Sequence, residues 1–145
     1  MKTFEEVLKQ EPIYLHDWAE GKKIALISDF ENIYMTKEEY EAEEAPYINK
    51  QFWEEKKVIM AEKIKEYESV NILFASYGCA NYSGDAFVLF EKEGKLFEVM
   101  GLERQFDPEE TTIEALAFRL SEGTLGKDDY SDNEFAEELK QFLGI

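Results

Sequence analysis

The sequence predicts an α+β fold, in which a small antiparallel sheet of three to four strands packs against several short amphipathic helices in one domain. Ser/Thr-x-x-Glu capping boxes, the pattern of a helix start, precede apolar residues at helical spacing in several segments. Apolar or alternating runs typical of strands cluster in the middle of the chain. The length of 145 residues suits a single hydrophobic core and leaves no room for two.

Four capping boxes predict helix starts, because a hydroxyl and a carboxylate three residues apart reciprocally satisfy free amides at a helix N-terminus. The boxes are Thr3 with Glu6, Thr36 with Glu39, Thr111 with Glu114, and Ser131 with Glu134. Glycines 123 and 144 are predicted to end the last two helices in the left-handed conformation. The longest predicted helix spans residues 49–68, with its apolar stripe at Trp53, Met60, Ile64 and Tyr67 beside Phe52 and Ile59.

Three strands are predicted at residues 70–77, 85–90 and 95–100. The stretch 91–95, Glu-Lys-Glu-Gly-Lys, predicts a tight hairpin that pairs the second and third strands antiparallel. Residues 23–28 are a candidate fourth strand, because Ile24, Leu26 and Ile27 suit a buried sheet. We therefore expect one sheet with helices over one face. The domain divides into a helical, acidic part (1–68), a hairpin-containing part (70–100) and C-terminal helices (111–144).

Charge is the most unusual property of the chain, because 33 acidic and 16 basic residues give a formal net charge of −17. A field of this sign disfavours direct binding to nucleic acid or to anionic membranes, and it steers encounters with basic protein surfaces. The acids concentrate in residues 36–47 and 122–138. The predicted partner-binding residues are Glu38, Glu39, Glu41, Glu43, Glu44, Tyr40, Tyr47, Asp128, Asp129, Tyr130 and Asp132. The alternative is that the same carboxylates only form a solubilising surface.

The sequence offers few groups for catalysis or metal binding. Cys79 is the only cysteine and His16 the only histidine, which excludes an intramolecular disulfide, a cysteine-rich zinc site and a multi-histidine site. One enzymatic hypothesis remains, a hydrolase or transferase with Cys79 as nucleophile and His16 as base, oriented by Asp29 or Asp85. The acids of residues 128–134 lack the spacing of a calcium loop, and no nucleotide-binding motif occurs. We therefore predict no cofactor.

The location predicted from the sequence is the cytoplasm. A single cysteine suits a reducing compartment. The N-terminal residues 1–10 include Glu5 and Glu6, unlike the basic start and apolar core of a signal peptide. No window approaches the roughly 18 apolar residues of a membrane span.

Residues 82–90 read Tyr-Ser-Gly-Asp-Ala-Phe-Val-Leu-Phe, residues 94–99 Gly-Lys-Leu-Phe-Glu-Val, and residues 101–112 Gly-Leu-Glu-Arg-Gln-Phe-Asp-Pro-Glu-Glu-Thr-Thr. These strings resemble a family of small uncharacterised bacteriophage and prophage proteins with the pattern Y-x-G-x-A-F-V-L-F, G-K-L-Y-E-V and Y-G-L-E-x-Q-W-x-P-E-E-T-T. The resemblance covers about residues 72–120. The family usually inserts a Gly-Ser-His-Cys-rich stretch after the second string, whereas here Met100 joins the second and third strings directly.

The resemblance implies a setting in mobile genetic elements, where small acidic proteins often block host enzymes that bind nucleic acid. Together with the charge, it leads us to expect a non-enzymatic, anti-CRISPR-like inhibitor that imitates nucleic acid on the basic surface of a host nucleic-acid-binding protein. An immunity or antitoxin protein would use the same physics. The enzyme built on Cys79 and His16 is the other alternative.

Overall fold

A computed structural model describes residues 1–33, 35–43, 49–80, 83–101, 107–127 and 133–145, with the backbone alone at 80, 83 and 84. The described helices are α1 (Phe4–Leu8), α2 (Lys22–Glu31), α3 (Lys37–Ala42), α4 (Lys50–Tyr67), α5 (Ile113–Glu122) and α6 (Ala136–Leu143). The described strands are β1 (Ile13–His16), β2 (Asn71–Ala80), β3 (Ser83–Lys92), β4 (Lys95–Met100) and β5 (Glu109–Thr111). The predicted α+β class and single domain are therefore confirmed.

The sheet has five strands in the order β1-β2-β3-β4-β5, so the expectation of three to four strands was too low. It is mixed and not purely antiparallel, because β1 runs parallel to β2 while the other neighbours are antiparallel. The two unpredicted strands, β1 and β5, are the edges and have only four and three residues. Segments this short contain too few residues to show a period of two.

The candidate fourth strand at residues 23–28 is wrong, because these residues belong to α2. A short apolar run does not distinguish a strand from a buried helical segment. Leu26 and Ile27 are buried and Phe30 packs beside them, which is the spacing of one helix face over ten residues. Asn32 ends α2 in the left-handed conformation, with φ of 59°.

Helices cover both faces of the sheet, which corrects the expectation of one covered face. Side chains of α1, α5 and α6 pack on the first face against residues such as Phe74 and Phe87, while α2 and α4 pack on the second face against Val88 and Phe90. Residues 86–90 of β3 are consequently all buried. A continuous apolar run is typical of a strand buried on both sides, whereas alternation indicates a strand with one solvated face.

An irregularity in β2 changes which side chains reach each face. The register with β3 shifts between Ile72 and Phe74. As a result Leu73 and Phe74 both point to the first face, while Ile72 and Ala75 point to the second. A β-bulge explains this arrangement, because one extra residue in a strand reverses the alternation beyond it.

Helix capping follows the sequence prediction at two of the four boxes. The hydroxyls of Thr3 and Thr36 accept hydrogen bonds from the backbone N–H groups of Glu6 and Glu39. Thr111 is not a cap, because it pairs with Leu96 as the last residue of β5.

The hydroxyl of Thr112 caps α5 in place of Thr111, accepting from the Ala115 N–H at 3.0 Å. The fourth predicted start, at Ser131, lies outside the described residues. The described helix α6 begins later, at Ala136, with no side-chain cap.

The C-terminal stops and the long helix agree with the sequence. Gly123 and Gly144 adopt left-handed φ angles of 73° and 77° at the ends of α5 and α6. Trp53, Met60 and Tyr67 are the buried stripe of α4. Within the described part of the chain, no helix combines the length and the apolar character needed to cross a membrane.

Candidate functional site

Helix α3 contains the described part of the predicted partner-binding set. Glu38, Glu39, Tyr40 and Glu41 lie on the helix, and Glu43 ends it with a left-handed φ of 58°. The other predicted residues, Glu44, Tyr47, Asp128, Asp129, Tyr130 and Asp132, lie outside the described residues.

The residues of α3 have different surroundings. Glu38 and Glu41 are three positions apart and share one face, which borders a cleft of about 600 Å³. Tyr40 is partly buried and packs against the core of the second face. The Glu43 carboxylate pairs with the Lys57 ammonium at 3.6 Å, across to α4. Only Glu38 and Glu41 of the described set therefore line the cleft.

Three further acids face Glu38 and Glu41 across this cleft, from the turn after β1 and from α2. The resulting set, which we call the acidic cleft, has the five carboxylates Asp17, Glu20, Asp29, Glu38 and Glu41. Lys37 is the one basic residue among the described residues lining it, and its ammonium lies 4.0 Å from the Glu41 carboxylate. Ser28, Met35 and Tyr77 are also part of the wall.

The turn between β1 and α2 places Asp17 and Glu20 at the cleft. His16 has a left-handed φ of 57°, which turns the chain out of the strand, and the Asp17 N–H then donates to the Tyr77 carbonyl oxygen at 3.0 Å. Gly21 precedes α2 at a point where a Cβ atom would collide with the Ala25 side chain. The absence of a side chain at this position therefore permits the close turn.

Asp29 is the most constrained carboxylate of the acidic cleft. Its Oδ2 accepts a hydrogen bond of 2.6 Å from the indole Nε1 of Trp18, a fully buried residue. Partial burial raises the pKa of Asp29, the Trp18 hydrogen bond opposes the rise, and the charge of Asp17 adds to it. A cation bound at the Asp29 carboxylate would offset its electrostatic repulsion with Asp17.

Tyr77 supplies an aromatic wall that the sequence did not indicate. Its ring stacks on Trp18, with centroids 5.4 Å apart and planes 26° from parallel. Burial first, then the neighbouring Cys79 and Asp29, raises the pKa of Tyr77 to about 12. The phenol is thus neutral at physiological pH, so it can donate a hydrogen bond and present its ring to a cation.

The enzymatic hypothesis needs Cys79 and His16 in contact. Cys79 is exposed near the C-terminal end of β2, two residues beyond Tyr77, the residue with which His16 is in register. The His16 Nε2 lies 2.7 Å from the Glu134 carbonyl oxygen, and no hydrogen bond joins His16 to Cys79 among the described residues. Of the two acids expected to orient His16, Asp29 is bonded to Trp18 and Asp85 accepts from the Ala86 N–H.

The carboxylates of the acidic cleft suit the cationic side chains of another protein better than a free metal ion. In the part of the chain that the structure covers, no group of three or more histidine, cysteine or acidic side chains has the arrangement to hold a metal ion. The five carboxylates instead come from three segments around an open space, namely the turn after β1, α2 and α3. Lysine ammonium and arginine guanidinium groups fit such a site, because each reaches a carboxylate on its own flexible stem.

The chain was compared with protein-family models, with curated proteins and with solved structures. None of the three comparisons gives a match.

Proposed function

We propose that this chain is a non-enzymatic acidic binding protein, an anti-CRISPR-like inhibitor encoded by a phage, that occupies the basic groove of a nucleic-acid-processing enzyme in the host cytoplasm. The carboxylates stand in for the phosphates of nucleic acid. The single observation that supports this most directly is the acidic cleft, where Glu38 and Glu41 of α3 meet Asp17, Glu20 and Asp29.

The cleft supports the proposal because it concentrates charge. A solubilising surface would intersperse acids with bases, whereas here five acids and one lysine line one concavity among the described residues. Carboxylates accept charge-assisted hydrogen bonds from arginine and lysine, which are roughly twice as strong as neutral ones. The ring of Tyr77 adds an aromatic contact at the same wall, as is common in protein interfaces.

The first experiment identifies the partner. The full chain, immobilised, is incubated with a bacterial lysate at low salt and eluted with increasing salt. We expect a basic nucleic-acid-binding enzyme in the high-salt fraction, and added DNA should compete with the chain for that enzyme. An immunity or antitoxin role would be indicated by a captured toxin, which would replace the anti-defence assignment.

The second experiment tests the cleft itself on the captured partner. Glu38→Gln with Glu41→Gln removes two charges from the cleft, and we expect slower association and a shallower dependence of log Kd on log salt. The matched control, Glu54→Gln with Glu62→Gln, removes two exposed charges of α4 that do not line the cleft. Equal effects of the two variants would show that only the net charge matters and would reject the cleft as the docking site.

The wider acidic segment is tested in the same assay. Replacing Glu38, Glu39, Glu41, Glu43 and Glu44 together by glutamine should weaken binding further than the double variant. Unchanged binding of this variant would reject the role of the whole segment.

A further inference from the structure

We propose that the outer edge of β1 binds an extended, basic segment of the partner, which joins the sheet as an additional strand beside β1. This inference rests on the proposed function, because it names the part of the partner that binds and the way it docks. It uses a surface that the acidic cleft does not include.

The first step is the direction of the backbone groups in β1. β1 is an edge of the sheet, and His16 pairs with Tyr77 in parallel register. The Asp17 N–H donates to the Tyr77 carbonyl oxygen, so residues 15 and 17 face β2. The alternate residue Tyr14 must then direct its N–H and C=O groups away from the sheet. Among the described residues no strand pairs with β1 on that side, and the His16 carbonyl oxygen accepts from the Ala19 N–H at 3.1 Å, so Tyr14 is the residue whose outward groups would bind another strand.

The second step is the groove beside this edge. A space of about 590 Å³ lies between β1 and α6, and it is lined by Ile13, Leu15, Glu138, Gln141 and Phe142 together with Lys2, Gln10 and Glu11. Alternate side chains of a strand added to β1 would point into this groove, since successive residues of a strand point to opposite faces. The edge thus offers backbone hydrogen bonds and the groove offers side-chain contacts, which is the arrangement of β-strand addition.

The third step is the charge of the occupant. Glu11 and Glu138 border the groove, and Asp17 and Glu20 lie beyond the C-terminal end of β1 in the acidic cleft. The one basic residue of the groove, Lys2, donates its ammonium to the Gln10 side-chain oxygen. A basic segment is therefore favoured. A second copy of this chain is disfavoured, because each copy has a net charge of −17.

The probe is a blocked peptide of alternating lysine and valine, about eight residues long to exceed the length of β1. The matched peptide has the same sequence with every backbone amide N-methylated, so it keeps its charge but cannot donate to a strand. With the full chain, we expect the methylated peptide to bind about tenfold more weakly or worse. Amide hydrogen exchange should show slower exchange of the Tyr14 N–H with the unmodified peptide only.

Two variants test the same edge from the protein side. Tyr14→Pro removes the outward N–H, and proline is tolerated on an edge strand where that group faces away from the sheet. Tyr14→Ala is the matched control, since both variants lose the partly buried ring that packs on the second face. We expect the alanine variant to bind the unmodified peptide and the proline variant to bind it about tenfold more weakly.

The inference is overturned if both peptides bind the chain equally and the Tyr14 N–H exchanges at the same rate with and without peptide. If Tyr14→Pro does not fold, the two peptides on the unaltered chain still decide the question. Protection of Tyr14 that increases with chain concentration in the absence of peptide would assign the edge to a second copy and also overturn the inference. The proposed function fails separately, when the cleft variants leave partner binding unchanged.

Discussion

The ion pair between Glu98 of β4 and Arg119 of α5 is the most buried charged contact of the described chain. Glu98 is only 9% exposed. Its two carboxylate oxygens accept from both terminal nitrogens of the Arg119 guanidinium, with one of these contacts at 2.8 Å. The pair joins the sheet to the helix on the first face. The pair therefore gives Glu98 a structural role between β4 and α5.

Arg119→Met should destabilise the fold by roughly 2–4 kcal/mol, because it leaves the Glu98 carboxylate without its partner. This cost lies between those typical of exposed and of fully buried ion pairs. Urea unfolding of the full chain measures the change. Glu98→Leu combined with Arg119→Leu should cost less than Arg119→Met, since no buried charge is left unpaired. A double variant that is less stable than the single one would contradict this account.

Asp29 gives a pH-dependent prediction. Because its pKa is raised in the folded state above the ordinary value of 3.8, the folded chain keeps this proton to a higher pH than the unfolded chain does. Ionisation of Asp29 therefore reduces stability as the pH rises above that ordinary value, and the reduction is complete once the pH exceeds the raised folded pKa. At neutral pH the charge of Asp29 is a cost to the fold.

Asp29→Asn should therefore raise the urea midpoint modestly at neutral pH, while the amide oxygen still accepts from Trp18. The difference from the unaltered chain should vanish below the ordinary carboxyl pKa, where both side chains are neutral. Asp107→Asn, an exposed position outside the cleft, serves as the control. A gain that persists unchanged at low pH would show that the effect does not come from the charge of Asp29.

Among the elements, the hairpin and the long helix were predictable because their signals are local. Glu93 and Gly94 both have positive φ, at 54° and 79°, which is the pattern of the tight turn that the Glu-Gly pair predicted. The stripe of α4 repeats over 18 residues. α2 was mistaken for a strand because its apolar residues are consecutive, and only packing against Trp18 and α4 shows the helical face.

The cap of α5 provides a prediction at the scale of an element. Thr112→Ala should cost about 1 kcal/mol, because the Ala115 N–H loses its acceptor. Thr111→Ala should cost less, because that residue lies in β5 and caps no helix. Urea unfolding of the two variants makes the comparison. A larger loss of stability in Thr111→Ala would instead indicate that Thr111 caps α5, as the sequence predicted.

At the scale of the whole molecule, the negative charge should affect stability as well as binding. The chain has 33 acidic and 16 basic residues. The excess negative charges repel one another more strongly in the compact state than in the unfolded chain. Screening by salt should relieve part of this repulsion. Added sodium chloride should accordingly raise the thermal midpoint at neutral pH while it weakens binding to the basic partner. A midpoint that falls with salt would mean that specific ion pairs outweigh the general repulsion.

The identity of the cation serves as the control for this prediction. Sodium, potassium and tetramethylammonium chlorides at equal ionic strength should raise the midpoint similarly, because screening depends on charge and concentration. A response to sodium alone would instead indicate a specific cation site and would contradict screening as the cause.

The two-sided burial of the sheet also belongs to the whole molecule. The apolar run at residues 86–90 is typical of a strand that is covered on both faces. The helices that cover it are far apart in the sequence, because α4 packs on one face and α6 on the other. Which helix covers which face depends on the connections between elements. The sequence pattern of each helix only shows that it has a buried side.

By itself, the sequence determined the α+β class, the single domain, the β3–β4 hairpin, two of the helix caps and the negative charge. These properties depend on composition and on neighbours within a few residues, where propensity and spacing act directly. It also indicated Glu38 and Glu41, as members of an acidic run.

Only the tertiary structure decided that Glu38 and Glu41 share a cleft with Asp17, Glu20 and Asp29, beside the ring of Tyr77. These residues are distant in sequence, and they meet because β1 pairs parallel to β2 and the chain turns at His16 into α2. Strand order and register result from burying both faces of the sheet at once, which is a cooperative property of the whole chain that no local pattern contains.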